Sequence, residues 1–307
     1  MNKKTASAAS RAKGWNAEVI ISGSATLIPE CKVVIMSDMH RSDGSGADDF
    51  ARNALIYRCA LEYYLKNGFT YIELGDAEEL WENDNFAQIY ITHTPVYELL
   101  AEFHDPDPEK TRYLKVWGNH DLYWKEHQDI YQSLFPGIQI HEAIVLNGSI
   151  LCIHGHQADP LCSGPVAAVS QFFVNHIWAN LQRRGVKDPT RAATNPGLCN
   201  EVDERLHTWA THNDHGIDTI IAGHTHRAVF ENLSLTEMRL QELRFKAEDG
   251  VSLQARRDHG YYNTGSCVHP LSITGLEIHF EDGIQFGLVQ WLCTLEGNAL
   301  TVKREAI

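Results

Sequence analysis

Five short apolar runs, each stopping at a cluster of polar, metal-capable side chains, constrain this chain more than any other feature. Val33-Val34-Ile35-Met36 ends at Ser37-Asp38-Met39-His40, and Thr70 to Leu74 ends at Gly75-Asp76. Tyr113 to Trp117 runs into Gly118-Asn119-His120-Asp121, and Ile150 to Ile153 into His154-Gly155-His156. The last, Asp218 to Ala222, gives way to Gly223-His224-Thr225-His226. The first, Val33 to Ser37, has the continuous apolar character of a strand covered on both faces. In open α/β sheets ligands gather outside the carboxyl ends of the strands, so the five clusters are expected along one rim.

The segments between them supply the other layer. Ala54, Tyr57, Leu61, Tyr64 and Leu65 share one helical face before Gly68. Asn83 to Thr94 fits helix or loop. Thr94-Pro95 predicts an N-cap and first turn for a helix through Phe103, which Asp105-Pro106-Asp107-Pro108 ends. Val19-Ile20-Ile21 is a weak strand candidate. Val166, Val169, Phe173 and Ile177 share a helical face, with Ser163 as a cap, and Asn200 is expected to cap a helix carrying Val202, Leu206 and Trp209. After the last cluster the pattern turns to strands: Tyr261 to Ser266, Leu276 to Phe280 and Gln285 to Cys293. Residues 1–307 thus read as a single α/β domain, with a helical cap or insertion at about 157–216.

Composition narrows the function. A net charge of −14 argues against binding a large nucleic acid, although bound cations would still admit a phosphate substrate. Seven cysteines with no CxxC pair read as reduced thiols and not as a disulfide framework. No apolar run is long enough to span a membrane, and the polar start lacks the apolar core of a signal peptide, so a cytoplasmic protein is expected. Oligomeric state leaves no mark in the sequence.

The clustered side chains are carboxylate, amide oxygen and imidazole. That set suits Mn, Fe, Zn or Ni better than Ca or Mg, and the lack of grouped thiolates argues against a structural zinc site. Asp38-x-His40, Gly75-Asp76, Gly118-Asn119-His120-Asp121, His154-Gly155 and Gly223-His224-Thr225-His226 together resemble, in order, the five blocks of the calcineurin-like metallophosphoesterases. The resemblance spans roughly residues 33 to 266. It implies a four-layer α/β/β/α metallophosphoesterase sandwich with a helical insertion, holding two divalent or trivalent metal ions, manganese favoured. It further implies that Asp38, His40 and His226 bind one ion, that Asn119, His154 and His224 bind the other, and that Asp76 bridges them. His120 matches the family's non-ligand histidine, which stabilises phosphoryl oxygens or protonates the leaving alkoxide. The implied reaction is hydrolysis of a phosphomonoester, phosphodiester or nucleotide-linked pyrophosphate by metal-activated water, on a small phosphorylated substrate. The alternative is an inert scaffold of the same fold that binds protein.

Leu74-Gly75-Asp76 followed by Glu79 and Trp81, the insertion after His154-Gly155, and Ala222 to Arg227 also resemble the branch containing UDP-2,3-diacylglucosamine hydrolases. That branch typically carries Arg at the position of His120 and a more basic insertion, so only its architecture carries over. Around the ligands, Arg41 is a candidate contact for substrate phosphate. Asp121 is expected to orient a histidine or cap the next helix, and His156 to support the site or touch phosphate. Glu79 is either a support for a ligand or, as the favoured reading, part of a solvated helical face. His207, His212 and His215 read as ordinary surface histidines, and Arg183 with Arg184 as a solvated basic patch.

Overall fold

The computed structural model describes residues 17–27, 32–46, 48–81, 85–160, 162, 195–230, 260–296 and 299–307. Two sheets form its centre. The larger takes strands β2 (Lys32–Met36), β3 (Thr70–Leu74), β4 (Tyr113–Val116), β5 (Ile140–His141), β10 (Ser272–His279), β11 (Gln285–Glu296) and β12 (Ala299–Ala306), in the order β12-β11-β10-β2-β3-β4-β5. From β2 to β5 the pairs are parallel, whereas β10 to β12 run antiparallel. The smaller sheet is β1 (Ala25–Leu27), β6 (Ala143–Leu146), β7 (Ile150–Ile153), β8 (Thr219–Ala222) and β9 (Tyr261–Asn263), in the order β1-β6-β7-β8-β9.

Strand periodicity sorts the apolar residues into three cores. In β2, Val33 and Ile35 point to the core between the sheets, where Ile72, Leu74 and Val116 meet Ile144, Ile150, Cys152 and Ile221. Val34 and Met36 point the other way, onto helices α2 (Ala54–Lys66) and α4 (Thr94–Phe103), through Tyr57, Leu61, Tyr97 and Leu100. On the far side of the smaller sheet, Leu151, Ile153 and Ile220 pack against Val202, Leu206 and Ala210 of helix α6 (Pro196–His212). The central strands β2 and β7 are therefore apolar in both directions, whereas Glu73 in β3 and Lys115 in β4 place buried charges on the helix-facing side. The result is a mixed α/β sandwich of helix, sheet, sheet and helix, as expected.

Several boundaries differ from expectation. Val19-Ile20-Ile21 lies in helix α1 (Ala17–Ser22), where Ile20 joins the core of the smaller sheet, so an apolar triplet too short to show a period became helix. Helix α4 begins at Thr94 with His93 at its N-cap; the Thr94 hydroxyl instead donates to the Tyr90 carbonyl at the end of helix α3 (Phe86–Thr92). Helix α6 starts earlier than predicted, capped by Asn195, whose Oδ1 accepts from the Leu198 amide at 3.2 Å; Asn200 lies within the helix. The helix expected around Val166 to Ile177, with Ser163, and the Arg183/Arg184 patch lie outside the described residues.

Candidate metal centre

All five polar clusters leave the ends of β2, β3, β4, β7 and β8, and main-chain bonds lace the loops together. The Asp38 amide donates to the Gly75 carbonyl at 3.1 Å, His40 to Asp76 at 2.8 Å and Arg41 to Ala77 at 2.9 Å. The Gly223 amide donates to the His154 carbonyl at 2.8 Å, and the His224 amide to Asp38 Oδ2 at 3.0 Å. Asp38, His40, Asp76, His224 and His226 all sit in the left-handed region, with φ of 56°, 50°, 51°, 68° and 54°. That conformation is uncommon for residues with a Cβ and persists where surrounding bonds over-determine it, as they do here.

Four groups of metal-capable atoms result among the described residues, and two of them consist of expected ligands alone. One atom each from Asp38, His40 and His226, and one each from Asp76, His154 and His224, lie within 4.8 Å of one another in their group. His226 Nε2 is 3.2 Å from both His40 Nε2 and Asp38 Oδ1. Asp76 stands between the groups, its Oδ2 being 3.1 Å from His154 Nε2 and 3.7 Å from His40 Nε2. The fit to a cation rests on three atoms that are buried without a hydrogen-bond partner: Asp38 Oδ1, Asn119 Oδ1 and His154 Nε2. Leaving an acceptor bare in a buried site is costly unless a cation satisfies it. The lining residues leave no room for bulk: a Cβ on Gly75 would sit 2.5 Å from His154 Nδ1, and one on Gly223 would sit 2.6 Å from Asp38 Oδ2.

Electrostatics follow from this crowding. Burial opposes ionisation of Asp38, but His226 and His154 outweigh it and bring the carboxyl to about 2. Asp76 is also buried, yet His154 and His120 hold it well below the usual carboxylate range. Burial works against a charge on His40 and His154; Glu79 at one and Asp76 at the other reverse it and raise both to about 9. At His226 burial prevails and the value falls.

Around the ligands the outcome is mixed. His120 is tied into the site by its amide, which donates to Asp76 Oδ1 at 2.8 Å, and by Nδ1, 2.8 Å from Glu79 Oε1. Glu79 is 4% exposed and not on a solvated face: its second oxygen is 2.9 Å from His40 Nδ1, so one carboxylate holds both histidines. The missed signal was local. Arg41 and Glu78 form a parallel bridge, so this stretch is extended and sends Glu78 and Glu79 to opposite sides. Asp121 neither orients a histidine nor caps the next turn; it accepts from the backbone amides of Asp76, Ala77 and Gly118 and so fixes the loops beneath the metal group. Burial, only partly offset by Lys115, raises its carboxyl to about 6.

Arg41 departs furthest from expectation. Its side chain is fully buried and turned away from the rim, donating to Glu73 at 2.7 and 3.1 Å and to Glu78 at 2.6 Å, with its guanidinium 5.0 Å over the Tyr97 ring. His156 is buried beside the second group, its ring 5.5 Å from those of His154 and Trp117, with Nδ1 lacking a partner; burial and the neighbouring histidines push its value well below the usual. Sequence reasoning also missed Asp159, whose Oδ2 lies 2.9 Å from His224 Nε2, an arrangement that orients metal-ligating imidazoles. His212 and His215 are exposed, as expected.

Two stacked sheets with helices on both outer faces, and a rim of buried carboxylates and imidazoles at the strand ends, define an α/β sandwich with a candidate metal centre. The chain belongs to the calcineurin-like phosphoesterase family, whose sequence model matches residues 31–228, more than half of its length. No curated protein matches the chain at a significant level. Family and site together establish a metal centre and, in general terms, a metal-dependent phosphoesterase.

Proposed function

We propose that the protein hydrolyses a small phosphorylated substrate, a phosphomonoester, phosphodiester or nucleotide-linked pyrophosphate, at a centre of two metal ions. The observation that carries this reading is the trio of buried, unpartnered atoms, Asp38 Oδ1, Asn119 Oδ1 and His154 Nε2, flanking Asp76. In the proposed assignment Asp38, His40 and His226 hold one ion, Asn119, His154 and His224 the other, and Asp76 serves both. When bound, such ions acidify water and neutralise charge on phosphoryl oxygens. Oxygen and imidazole donors accept Mn, Fe, Zn or Ni, with manganese the favoured ion.

The chain's own groups then do the rest. Glu79 keeps His40 Nδ1 and His120 Nδ1 engaged, at 2.9 and 2.8 Å, so each imidazole presents its Nε2 edge to the centre. A proton on His120 Nε2 is thereby positioned for the leaving oxygen, a general-acid contribution of roughly 10²–10⁴. Asp121, gripping the amides of Asp76, Ala77 and Gly118, and Asp159, beside His224, hold the ligands in place. The substrate of the UDP-2,3-diacylglucosamine hydrolase branch is not carried over. The chain is proposed to form a single domain in which helix α6 is an outer layer packed on the smaller sheet, and the remainder of the expected insertion at about 157–216 is proposed to select the substrate. Six described cysteines are free thiols, which supports a cytoplasmic setting, and no helix among the described residues is long and apolar enough to cross a membrane.

The test is hydrolysis of p-nitrophenyl phosphate and bis-p-nitrophenyl phosphate by the protein loaded with Mn²⁺, with metal content measured on the same sample. Turnover of either that stops on chelation supports the reading. Metal-loaded protein inert toward both, and toward nucleotides, favours the scaffold alternative.

A further inference from the structure

The two arginines that follow ligand histidines both turn into the protein. Arg41 is held by Glu73 and Glu78, and Arg227 by Asp203 and by Asn200 at 2.8 Å. Neither guanidinium is placed to grip the part of a substrate beyond its phosphoryl group. What does flank the centre is aromatic. The Trp81 indole lies against the His120 imidazole, ring centroids 4.3 Å apart and planes tilted by 32°. His40 meets another edge of the same imidazole at 4.7 Å, T-shaped. The stack is fixed by the backbone as well as by ring packing, because the Leu80 amide donates to the His120 carbonyl at 3.1 Å. Trp117, the other tryptophan touching a histidine of the rim, is only 5% exposed, so it seals the wall beside His156. Trp81 is half-buried and keeps surface for a ligand.

We propose that Trp81 is the specificity-determining contact for the leaving group, and that this group carries a planar aromatic ring. The proposal rests on the phosphoesterase reading, in which His120 stands next to the leaving oxygen. Whatever that oxygen carries then lies beside the indole. A flat, weakly polar ring suits such a neighbour, since offset or edge-to-face aromatic pairs gain affinity beyond the area they bury. A nucleobase and a simple aryl group share this chemistry, whereas a short alkyl chain does not.

The test uses non-hydrolysable probes, so it reads binding and not turnover. Phenylphosphonate, adenosine 5′-phosphonate and ethylphosphonate are titrated calorimetrically into Mn²⁺-loaded wild type, Trp81→Ala and Trp81→Phe, with metal content measured in each. Trp81→Ala is expected to weaken phenylphosphonate about tenfold and leave ethylphosphonate within about twofold, and Trp81→Phe to keep most of the ring preference. The adenosine probe follows phenylphosphonate if any planar ring serves; a larger loss for it identifies a nucleobase. Equal weakening of ring and alkyl probes, no weakening at all, or loss of metal from Trp81→Ala overturns the assignment of Trp81 while the phosphoesterase reading stands. Wild type that takes up no metal and binds no phosphonate removes the phosphoesterase reading, and this proposal with it.

Discussion

Glu73→Gln tests whether the buried charges beneath the metal group hold the fold together. Glu73 sits on β3, fully buried, and accepts from Arg41 at 2.7 and 3.1 Å, Lys115 at 2.9 Å, Tyr113 at 2.7 Å and Tyr57 at 3.1 Å. The substitution keeps the shape, removes the charge and sets an NH₂ among donors. Arg41 and Lys115, both without solvent, are left with Glu78 at 2.6 and 2.9 Å as their remaining close carboxylate. Stripping one partner from a buried ion network costs about 3–5 kcal/mol. At about 2 °C per kcal/mol for a chain of this size, the melting temperature should fall by roughly 6–10 °C. Urea unfolding followed by circular dichroism at pH 7.5 measures the difference. The pH arm has a definite sign. Burial opposes charge on Glu73, but Arg41 and Lys115 hold its folded carboxyl well below the usual carboxylate range, so its stabilisation is complete above the ordinary carboxyl value and fades as pH falls below it. The gap between wild type and Glu73→Gln should therefore be constant from neutral pH down to about 5 and narrow below. Adding Lys115→Met should cost less than the sum of the two single changes, because the second removes a charge the first left unpaired. A loss under about 1 kcal/mol, or a gap that widens on acidification, would refute the reasoning.

Three further outcomes separate the roles at the rim. Asp76→Asn should lose metal measured by mass spectrometry, whereas His120→Ala should keep it and lower turnover by about 10² or more; equal metal loss in both would merge the roles assigned to them. Asp159→Asn, which weakens the hold on His224, should reduce Mn²⁺ affinity by about 10–100-fold in calorimetry without a matching fall in melting temperature. Gly75→Ala should both destabilise the fold and reduce metal uptake, since Gly75 has φ +83° and the new Cβ would lie 2.5 Å from His154 Nδ1; an alanine variant with native metal content would show that the loop yields.

How much could be read beforehand depended on whether a residue answers to its neighbours in sequence or in space. β7 matched the predicted Ile150–Ile153 because a strand packed on both faces is continuously apolar, and β3 matched Thr70–Leu74 through Tyr71, Ile72 and Leu74 despite the buried charge of Glu73 among them. β6 and β12 went unannounced: Ala143–Leu146, as short as β7, runs into Asn147-Gly148 and not into a ligand cluster that would single it out, and Ala299–Ala306 is an edge strand with exposed residues that the pairing with β11 organises. Asp38, His40, Asp76 and the histidines were legible as candidates because each follows a strand end at short spacing. Their supporting residues were not. Glu79 looked like a helix-face acid and Arg41 like a phosphate contact, and only the third dimension shows Glu79 between two histidines and Arg41 between two glutamates.

The buried network explains why the rim can carry so much strain. Five residues of the candidate centre adopt left-handed backbone, and Asp38 and Asp76 keep their charge out of water. Such a rim would relax unless something beneath opposed it. Arg41 follows His40, Glu78 follows Asp76 by two residues, and Asp121 follows Asn119 by two; Lys115 lies 2.9 Å from Glu78 and 3.8 Å from Asp121. Three of the five loops that line the candidate centre thus send their next charged residue down into one set of ion pairs. Moving any of these loops outward would pull a charge away from its partner in a region without solvent. The loop after β2 lifts Asp38 and His40 to the rim and lowers Arg41 into the network, so geometry at the centre and stability under it are settled by nearby residues of one strand-end loop.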